Sequence, residues 1–339
     1  MSEVENEIEK IRNMDRMLLE IKLVPRQGDR FQPTGFPEIG AATYENPEGK
    51  KMLIIESEQS MANHMESSII KENTPDIIDD FEGLSYIKVH LTSKDGIKSE
   101  TSSLTEAHRI NSPYITSNKD FVKDLIEKSN YKEGVFPDWE KIGETLFYYD
   151  INSLIHGVFM SNIGGRFRVP RALSAFIDGE DVKEAPYAGT KLSNIDPVGK
   201  YKVEGKGSVT KKTAYSNVPY PKMSYTAKQI KAYFNLDISL LKSYNLSKDA
   251  TNLLIALSLF KIRGTLENKL KLRTACDFKV YNTNELDESG LPKRENLIEY
   301  IKQLIQKNKN NMKVTELNVN LIDNKNKNKD TKNKKNNDE

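Results

Sequence analysis

The sequence predicts an α+β fold, because segments with two different hydrophobic periods follow one another along the chain. In some segments apolar and polar residues alternate, which is typical of strands with one buried face. In others apolar residues recur every three or four positions, which is typical of amphipathic helices. With 339 residues and a hydrophobic fraction of 37%, the chain is long enough to bury a substantial core.

The first half of the chain contains both kinds of segment. Met17, Leu19, Ile21 and Leu23 alternate with less apolar residues and predict a strand with one buried face. In chain order we predict a polar helix at 3–15, a strand at 17–24, a loop with Gly and Pro at 25–37, an apolar run at 52–55, a helix from about 58 to 71, a strand at 84–91, and helices at 119–129 and 139–149.

The second half adds a strand at 171–177, where the start of a helix is the alternative, then a long helix and a final strand at 270–281. Ser247 is a suitable N-cap for the long helix, which passes through Leu253 and Ile262. The final strand alternates cleanly, with one face made of Leu270, Leu272, Cys276, Phe278 and Val280.

Taken in order, the strongest elements read strand, helix, strand, strand, helix, strand. This is the β-α-β-β-α-β plan of the ferredoxin-like fold, which RNA-recognition modules also use. The excess length enters as insertions at 25–57, about 92–170 and 180–245, and ordered insertions of this size are usually functional. We expect one domain over residues 1–323. The tail 324–339 contains only Asn, Lys, Asp, Thr and Glu, and it is predicted to be disordered.

Several functional classes find no support in the sequence. The single cysteine, Cys276, excludes an internal disulfide framework and a cysteine-based zinc site. The longest apolar stretch, 253–260, is too short to span a bilayer, and the acidic N-terminus does not resemble a secretion signal. The four histidines lack metal-ligand spacing, and there is no nucleophile elbow or phosphate-binding loop. We therefore expect a cytoplasmic protein that is not an enzyme, uses no cofactor and has no membrane partner.

The net charge of +2 conceals a strong polarisation along the chain. Residues 40–160 contain 12 basic and 21 acidic side chains, whereas residues 199–231 contain eight lysines and one glutamate. The segment 161–171 contains three arginines and no acid. Phosphates attract such positive segments. The distribution of charge along the chain therefore favours a nucleic-acid partner, whereas the net charge alone does not.

Two basic segments have features beyond charge. Tyrosines are interleaved with the lysines of 199–231, which suits an extended flap over a single strand, although a solvated lysine-rich loop has the same composition. In 162–168, Gly164 and Gly165 permit close approach of the backbone, and Arg166 and Arg168 flank a phenylalanine. An ordinary glycine turn with surface arginines is the alternative there.

Six motifs spread along the chain carry a resemblance to a known family. They are Gly28-Asp-Arg-Phe-Gln-Pro-Thr-Gly-Phe-Pro37, Ile55-Glu-Ser-Glu-Gln-Ser-Met-Ala-Asn63, His108-Arg-Ile-Asn-Ser-Pro-Tyr114, Ser153-Leu-Ile-His-Gly-Val-Phe159, Arg168-Val-Pro-Arg-Ala-Leu-Ser-Ala-Phe-Ile177 and Leu272-Arg-Thr-Ala-Cys-Asp-Phe278. Together they resemble one CRISPR-associated family, the backbone subunit of the type I-G (formerly I-U) Cascade complex, a divergent branch of the "Cas seven" proteins. The resemblance extends from about residue 16 to about residue 282 and does not cover 283–339.

This resemblance implies a modified RNA-recognition palm with inserted fingers and a thumb β-hairpin at about 196–226. It also implies copies stacked head to tail along a CRISPR guide RNA that pairs with target DNA, together with other Cascade subunits and a recruited helicase-nuclease. Guide contacts are expected in the matching motifs and in the lysine-rich segment, at Arg26, Arg30, Gln32, Ser60, Asn63, Asn162, Arg166, Arg168, Arg171, Lys206, Lys211 and Lys212.

Two other functions remain open from the sequence. Type III relatives of this fold cleave target RNA through an aspartate after the first strand with a divalent metal, and Asp29 lies in the equivalent loop. A metal-dependent endoribonuclease is therefore the alternative. A plain protein-interaction scaffold is the third, and it would leave the basic segments without a role.

Overall fold

A computed structural model describes residues 3–36, 40–191, 218–268 and 270–321 of the chain. Helices and strands occur in separate runs along the chain, which confirms the predicted α+β class. The helices are α1 (Glu3–Arg12), α2 (Glu58–Glu66), α3 (Pro113–Thr116), α4 (Lys119–Ser129), α5 (Trp139–Tyr149), α6 (Ile151–His156), α7 (Ile238–Ser243), α8 (Lys248–Asn268), α9 (Asn284–Glu288) and α10 (Arg294–Asn308). Short 3₁₀ turns occupy Ser67–Ile69, Asp79–Phe81 and Arg109–Asn111.

The strands are β1 (Arg16–Pro25), β2 (Gly35–Phe36), β3 (Gly40–Ala41), β4 (Thr43–Glu45), β5 (Lys51–Glu56), β6 (Tyr86–Thr92), β7 (Lys98–Ser102), β8 (Val158–Phe159), β9 (Arg168–Val169), β10 (Leu173–Lys191), β11 (Val218–Asp237), β12 (Lys271–Arg273), β13 (Cys276–Val280) and β14 (Val314–Asn320). Within the described ranges, seven of them form one sheet in the order β12-β13-β1-β11-β10-β5-β4. All neighbours in this sheet are antiparallel.

One face of this sheet is buried and the other is open to solvent. On β1, the predicted alternation is confirmed, since Met17, Leu19, Ile21 and Leu23 are buried while Leu18 between them is 67% exposed. The buried face packs against helices α2, α6, α7 and α8. Burial of one face sets the register, because a shift by one residue would expose the whole apolar set.

The strands β10 and β11 continue well beyond the sheet as a two-stranded ribbon. β1 pairs with β11 only from Arg16 to Leu23, whereas β10 and β11 remain paired as far as Lys191 and Val218. The prediction of an insertion over 180–245 is therefore wrong, because residues 230–237 form a central strand of the sheet. Scattered lysines obscured the buried alternation of Ile230, Ala232, Phe234 and Leu236.

A second sheet contains one of the strands predicted for the ferredoxin-like plan. The predicted strand at 84–91 forms as β6, but it lies in a separate sheet with the order β14-β6-β7. β14 runs parallel to β6, with Val314 opposite Tyr86 and Asn320 opposite Thr92. The C-terminal segment, which the sequence resemblance does not cover, thus supplies an edge strand as well as α9 and α10.

The helix α8 lies at the centre of the protein. Every residue from Ala250 to Leu266 is buried, because α1, α2, α7 and α10 all pack around it. The N-cap prediction is confirmed, since the Oγ of Ser247 accepts a hydrogen bond from the backbone N–H of Ala250 at 3.2 Å. No helix in the described part of the chain has both the length and the apolar character to cross a membrane.

The segment predicted as one strand at 270–281 is a tight hairpin of two strands. β12 and β13 pair antiparallel, and Ala275 in the turn between them has a φ of 60°. The predicted face is correct in outline, because Leu270, Cys276, Phe278 and Val280 are buried. Alternation alone did not reveal the turn, because no Gly or Pro marks it.

The pairing of β14 with β6 makes a prediction about the C-terminal segment. Leu317 is buried against the core, so Leu317→Ala should lower the free energy of unfolding by about 2–3 kcal/mol. The exposed neighbour Asn318 provides the control, since Asn318→Ala should change it by less than about 0.5 kcal/mol. Urea unfolding measures both, and equal effects would contradict the role of β14 in the core.

Candidate nucleic-acid interface

The strands β8 and β9 form a small hairpin that presents the predicted arginines. Phe159 pairs with Arg168 across it, and the buried side chains of Met160 and Phe167 anchor the turn. The ring of Phe167 packs 5.2 Å from that of Tyr131. Gly164 is required there, because a Cβ at this position would lie 2.4 Å from the Tyr131 hydroxyl. Anchored in this way, the turn holds its polar residues at the surface.

The polar residues of the hairpin are exposed, as the prediction of an RNA contact requires. Asn162, Arg166 and Arg168 all lie at the surface. The Arg168 guanidinium lies 4.1 Å from the centre of the Phe159 ring, which orients it. The Nδ2 of Asn162 donates to the Oγ1 of Thr116 at 3.1 Å and ties the turn to α3.

Arg171 joins this hairpin to the first turn of α2. Its Nη1 donates to the carbonyl of Glu58 at 3.1 Å, its Nη2 to the Oε1 of Gln59 at 2.9 Å, and its Nε to the carbonyl of His156 at 3.4 Å. Burial, and secondarily the nearby Arg109, lowers the pKa of the Arg171 guanidinium. Its partners here are all neutral acceptors, so Arg171 brings to the start of α2 a positive charge that no carboxylate in the described part of the chain pairs with.

The predicted contacts on α2 lie close to Arg171. Ser60 is half-buried in the first turn of the helix, and Asn63 is exposed one turn later. The helix begins after Ser57, whose side chain caps the N–H of Ser60. Arg171 contacts Glu58 and Gln59 in the turn that contains Ser60, whereas Asn63 lies one turn farther along the helix.

Arg26, Arg30 and Gln32 form a second group, in the loop after β1. Phe31 anchors this loop: it is 1% exposed, and its backbone exchanges two hydrogen bonds with Tyr225 of the ribbon at 3.0 and 2.9 Å. Arg30 is exposed and lies 5.2 Å from the ring of Tyr187, also on the ribbon. The loop therefore places Arg30 at the base of the ribbon.

Arg26 and Gln32 contact the hairpin of β12 and β13. The Nε of Arg26 donates to the Oδ1 of Asp277 at 3.3 Å, so a carboxylate already matches its charge. The backbone N–H of Gln32 donates to the carbonyl of Ala275 at 2.8 Å. Of the three loop residues, Arg30 has the charge most available to a phosphate.

The sequence did not single out Arg273, which connects the two groups. Its guanidinium pairs with the carboxylate of Glu56, which is 1% exposed. It also donates to the carbonyls of Ile55 at 3.3 Å and Gln32 at 3.4 Å. Glu56 directly precedes the cap of α2, so Arg273 fixes the loop against the helix start. In the strand predicted at 270–281, Arg273 lies on the polar face, and that position indicates only a surface residue.

A buried ion pair, also missed, holds the hairpin of β8 and β9 from below. Arg109 donates to both carboxylate oxygens of Glu66 at 2.6 and 2.9 Å, and it reaches the carbonyl of Gly157 at 3.4 Å. Gly157 has a φ of 75°, and a Cβ there would lie 2.8 Å from the carbonyl of Val169. The sequence contained one signal for this pair. Glu66 follows Ala62 by four residues in the predicted helix, so it lies on the same buried face.

Charge pairing distinguishes four of the candidate contacts from the structural arginines. Arg12, Arg16, Arg109, Arg263 and Arg273 form salt bridges with carboxylates, and so does the candidate contact Arg26. Arg30, Arg166, Arg168 and Arg171 form none within the residues that the structure describes. These four therefore retain the positive charge that binding to phosphates needs.

The remaining predicted residues are less informative. Lys206, Lys211 and Lys212, with most of the predicted thumb and the tail 324–339, lie outside the described residues. Asp29 is exposed in the loop after β1. Among the described ranges, no group of three or more His, Cys, Asp or Glu side chains is arranged to hold a metal ion.

One comparison by sequence finds a similarity to a known family. Residues 17–184, just under half of the chain, match the sequence model of the family of CRISPR-associated protein GSU0053. The matched stretch runs from β1 into the ribbon and includes the hairpin of β8 and β9 and helix α2. No curated protein matches the chain significantly.

Solved structures give weaker likenesses. A chain of a "CRISPR RNA-guided surveillance complex, pre-nicking" aligns with a TM-score of 0.36 and 10% identity, covering 85% of this chain and 89% of that chain. Csc2 of Thermofilum pendens aligns with a TM-score of 0.31 and 10% identity, covering 90% of this chain and 88% of that chain. Both TM-scores are too low to establish a common fold.

Lys261 makes a prediction about the support beneath the interface. It is fully buried on α8, where its Nζ donates to the Oδ1 of Asn152, and Asn152 in turn donates to Glu66 at 2.6 Å. Burial lowers the pKa of Lys261 to about 7. Below that pH both the folded and the unfolded chain hold the proton, whereas above it only the unfolded chain does until its own pKa is reached.

The free energy of unfolding should therefore rise with pH between 7 and 9, and the amine of Lys261 should contribute up to about 1.4 kcal/mol per pH unit to this rise. Replacing the lysine in Lys261→Met should remove this contribution. Urea unfolding of both proteins at pH 7, 8 and 9 measures the difference in slope. Parallel slopes would show that Lys261 does not titrate in this range.

Proposed function

We propose that this chain is a non-catalytic, guide-RNA-binding backbone subunit of a type I-G Cascade complex. The observation that carries the proposal is the hairpin of β8 and β9 with Arg171, where Arg166, Arg168 and Arg171 pair with no carboxylate of the described residues. Phosphates of single-stranded RNA bind guanidinium groups whose charge is unmatched in this way. The match of this segment to a CRISPR-associated family supports the same conclusion.

The architecture proposed for the subunit is a modified RNA-recognition palm. The strands β13, β1, β11 and β10 lie side by side in the order 4-1-3-2 of the ferredoxin-like plan, and α8 connects β11 to the final hairpin. The ribbon of β10 and β11 corresponds to the thumb. Copies would stack head to tail along the guide, present it to target DNA, and contact other Cascade subunits and the recruited helicase-nuclease.

The arginine cluster is tested by removing its charge. Changing Arg166, Arg168 and Arg171 together to Gln should weaken binding of a labelled single-stranded RNA at least tenfold. It should also reduce the slope of log affinity against log salt by about 2, because each lost phosphate contact contributes about 0.7. Fluorescence anisotropy over a range of salt concentrations measures both.

A matched control keeps the same change in net charge. Lys123, Lys128 and Lys141 lie on α4 and α5, and each is paired with a carboxylate of its own helix. Changing these three to Gln should leave affinity within about twofold and the salt slope unchanged. If both triple variants lose affinity equally, net charge and not the hairpin governs binding.

The guide role is tested by the RNA that the protein carries. Sequencing RNA that co-purifies with the full-length chain should recover repeat–spacer transcripts if the subunit assembles on guides. RNA drawn evenly from the whole transcriptome would contradict a dedicated guide-binding role.

We also propose that this chain does not cleave RNA. An assembled complex incubated with complementary RNA and Mg²⁺ should leave that RNA intact, and Asp29→Ala should make no difference. Regular cuts that disappear in the Asp29→Ala variant would establish the endoribonuclease instead.

A further inference from the structure

A lysine and an asparagine meet in the interior of the protein, beneath the hairpin of β8 and β9. Lys261 lies on α8 and Asn152 on α6, and their exposed fractions are 0% and 1%. The Nζ of Lys261 donates a hydrogen bond to the Oδ1 of Asn152. A primary amine and a primary amide are therefore held in contact away from water.

The hydrogen bonds around Asn152 determine which end of its side chain faces the amine. Its Nδ2 donates to the Oε1 of Glu66 at 2.6 Å, so the carbonyl end is the one that faces Lys261. Two hydrogen bonds from Arg109 hold the Glu66 carboxylate in this position. The amide group of Asn152 thus has an amine at its oxygen and a carboxylate at its nitrogen.

Burial gives the amine of Lys261 the form that can attack a carbonyl carbon. An ammonium group has no lone pair, whereas a neutral amine is a nucleophile. Burial lowers the pKa of Lys261 to about 7; Arg109 acts in the same direction, and Glu66 and Asp150 oppose it. The neighbouring His156 is uncharged, because burial holds its pKa well below the usual value. At pH 8 most of the lysine is therefore neutral in the folded protein, whereas in the unfolded chain almost none is.

We propose that Lys261 and Asn152 react within the folded chain to form an isopeptide bond that joins α8 to α6. The Nζ of Lys261 attacks the Cγ of Asn152, the bond from Cγ to Nδ2 breaks, and Nδ2 leaves as ammonia. Glu66 accepts the proton that Nζ loses and delivers it to Nδ2, with which it is already hydrogen-bonded. One amine and one primary amide give one secondary amide and one ammonia, so the reaction needs no oxidant and no further reactant.

The bond adds a covalent link to the support of the hairpin. α6 leads through Gly157 into β8, and α8 is the buried helix at the centre of the core. A link between positions 152 and 261 closes a long loop of chain, and cross-links of this kind stabilise mainly by restricting the unfolded state. The inference goes beyond the proposed function and does not depend on it, because the reacting groups are buried. The pH-dependent stability predicted for Lys261 belongs to the chain in which this bond has not formed.

Mass spectrometry of the full-length protein detects the reaction directly. After incubation at pH 8, the denatured protein should be lighter than its sequence mass by one ammonia. Trypsin should then release residues 142–166 joined to residues 249–263, because the modified Lys261 is no longer a cleavage site. An unchanged mass would overturn the proposal. So would a loss of ammonia confined to a single peptide, because cyclisation of an asparagine also releases ammonia.

Three variants test the role of each group, and thermal unfolding establishes that they fold. Lys261→Met and Asn152→Ala each remove one reactant, so neither protein should contain the joined peptide. Glu66→Gln keeps both reactants and an acceptor for Asn152 but removes the proton acceptor, so the joined peptide should form more slowly by about tenfold or more. Lys128→Met is the matched control, because this lysine lies on α4 at the surface and should not affect the reaction. The joined peptide in either variant that lacks a reactant would overturn the assignment.

The pH dependence of the reaction provides a second test on any protein that is purified unreacted. The joined peptide should form about tenfold more slowly at pH 6 than at pH 8, because only about a tenth of the Lys261 amine is neutral at pH 6. In urea the unfolded chain should not react, since there the amine is charged and lies far from Asn152. Equal rates in the folded and the unfolded chain would contradict a reaction that depends on the buried contact.

Labelled-RNA anisotropy on the same samples keeps the two proposals separate. The joined peptide without RNA binding supports the isopeptide bond and contradicts the proposed function. RNA binding by a chain of unchanged mass has the opposite meaning.

Discussion

The buried ion pair between Glu66 and Arg109 is the interaction on which the candidate interface depends. Burying either charge alone is strongly unfavourable, and only a bidentate partner with further hydrogen bonds offsets it. Here Asn152 donates a further hydrogen bond to the Glu66 carboxylate, and the Arg109 guanidinium donates one to the carbonyl of Gly157. Glu66 lies on α2, Arg109 in the 3₁₀ turn after β7, Asn152 on α6 and Gly157 directly before β8. One ion pair therefore holds together the segments that surround the arginine-bearing hairpin of β8 and β9.

Beneath this pair lies α8, which is both the centre of the core and the source of a buried lysine. Lys261 bonds to Asn152, so a helix far along the chain contacts the same network as Glu66. Arg168 at the surface and the partly buried Arg171 pair with no carboxylate among the residues that the structure describes. The protein thus pairs Arg109 and Arg273 of the support with carboxylates and leaves the two arginines charged, which suits the phosphate binding proposed for them.

Sequence reasoning was most reliable where one residue pattern corresponds to one local structure. The alternation in β1, the helices α4 and α5 and the cap at Ser247 were all correct, because each depends on neighbours within a few residues. It failed for β6 and β11. The alternation in β6 shows a strand but not the sheet to which it belongs, and in β11 lysines on the ribbon hid a strand that is central to the main sheet. Pairing partners are chosen by contacts between distant segments, which no local pattern contains.

By itself the sequence determined the α+β class, the polarised charge, the arginine-rich turn and the motifs that resemble a CRISPR-associated family. These follow from composition and from short-range order. The tertiary structure alone decided which charges are available. It matched Arg26 with Asp277, fixed Arg171 against α2 and placed Arg168 on Phe159. Charge availability depends on whether a carboxylate lies within about 4 Å, and only the folded chain brings such distant residues that close.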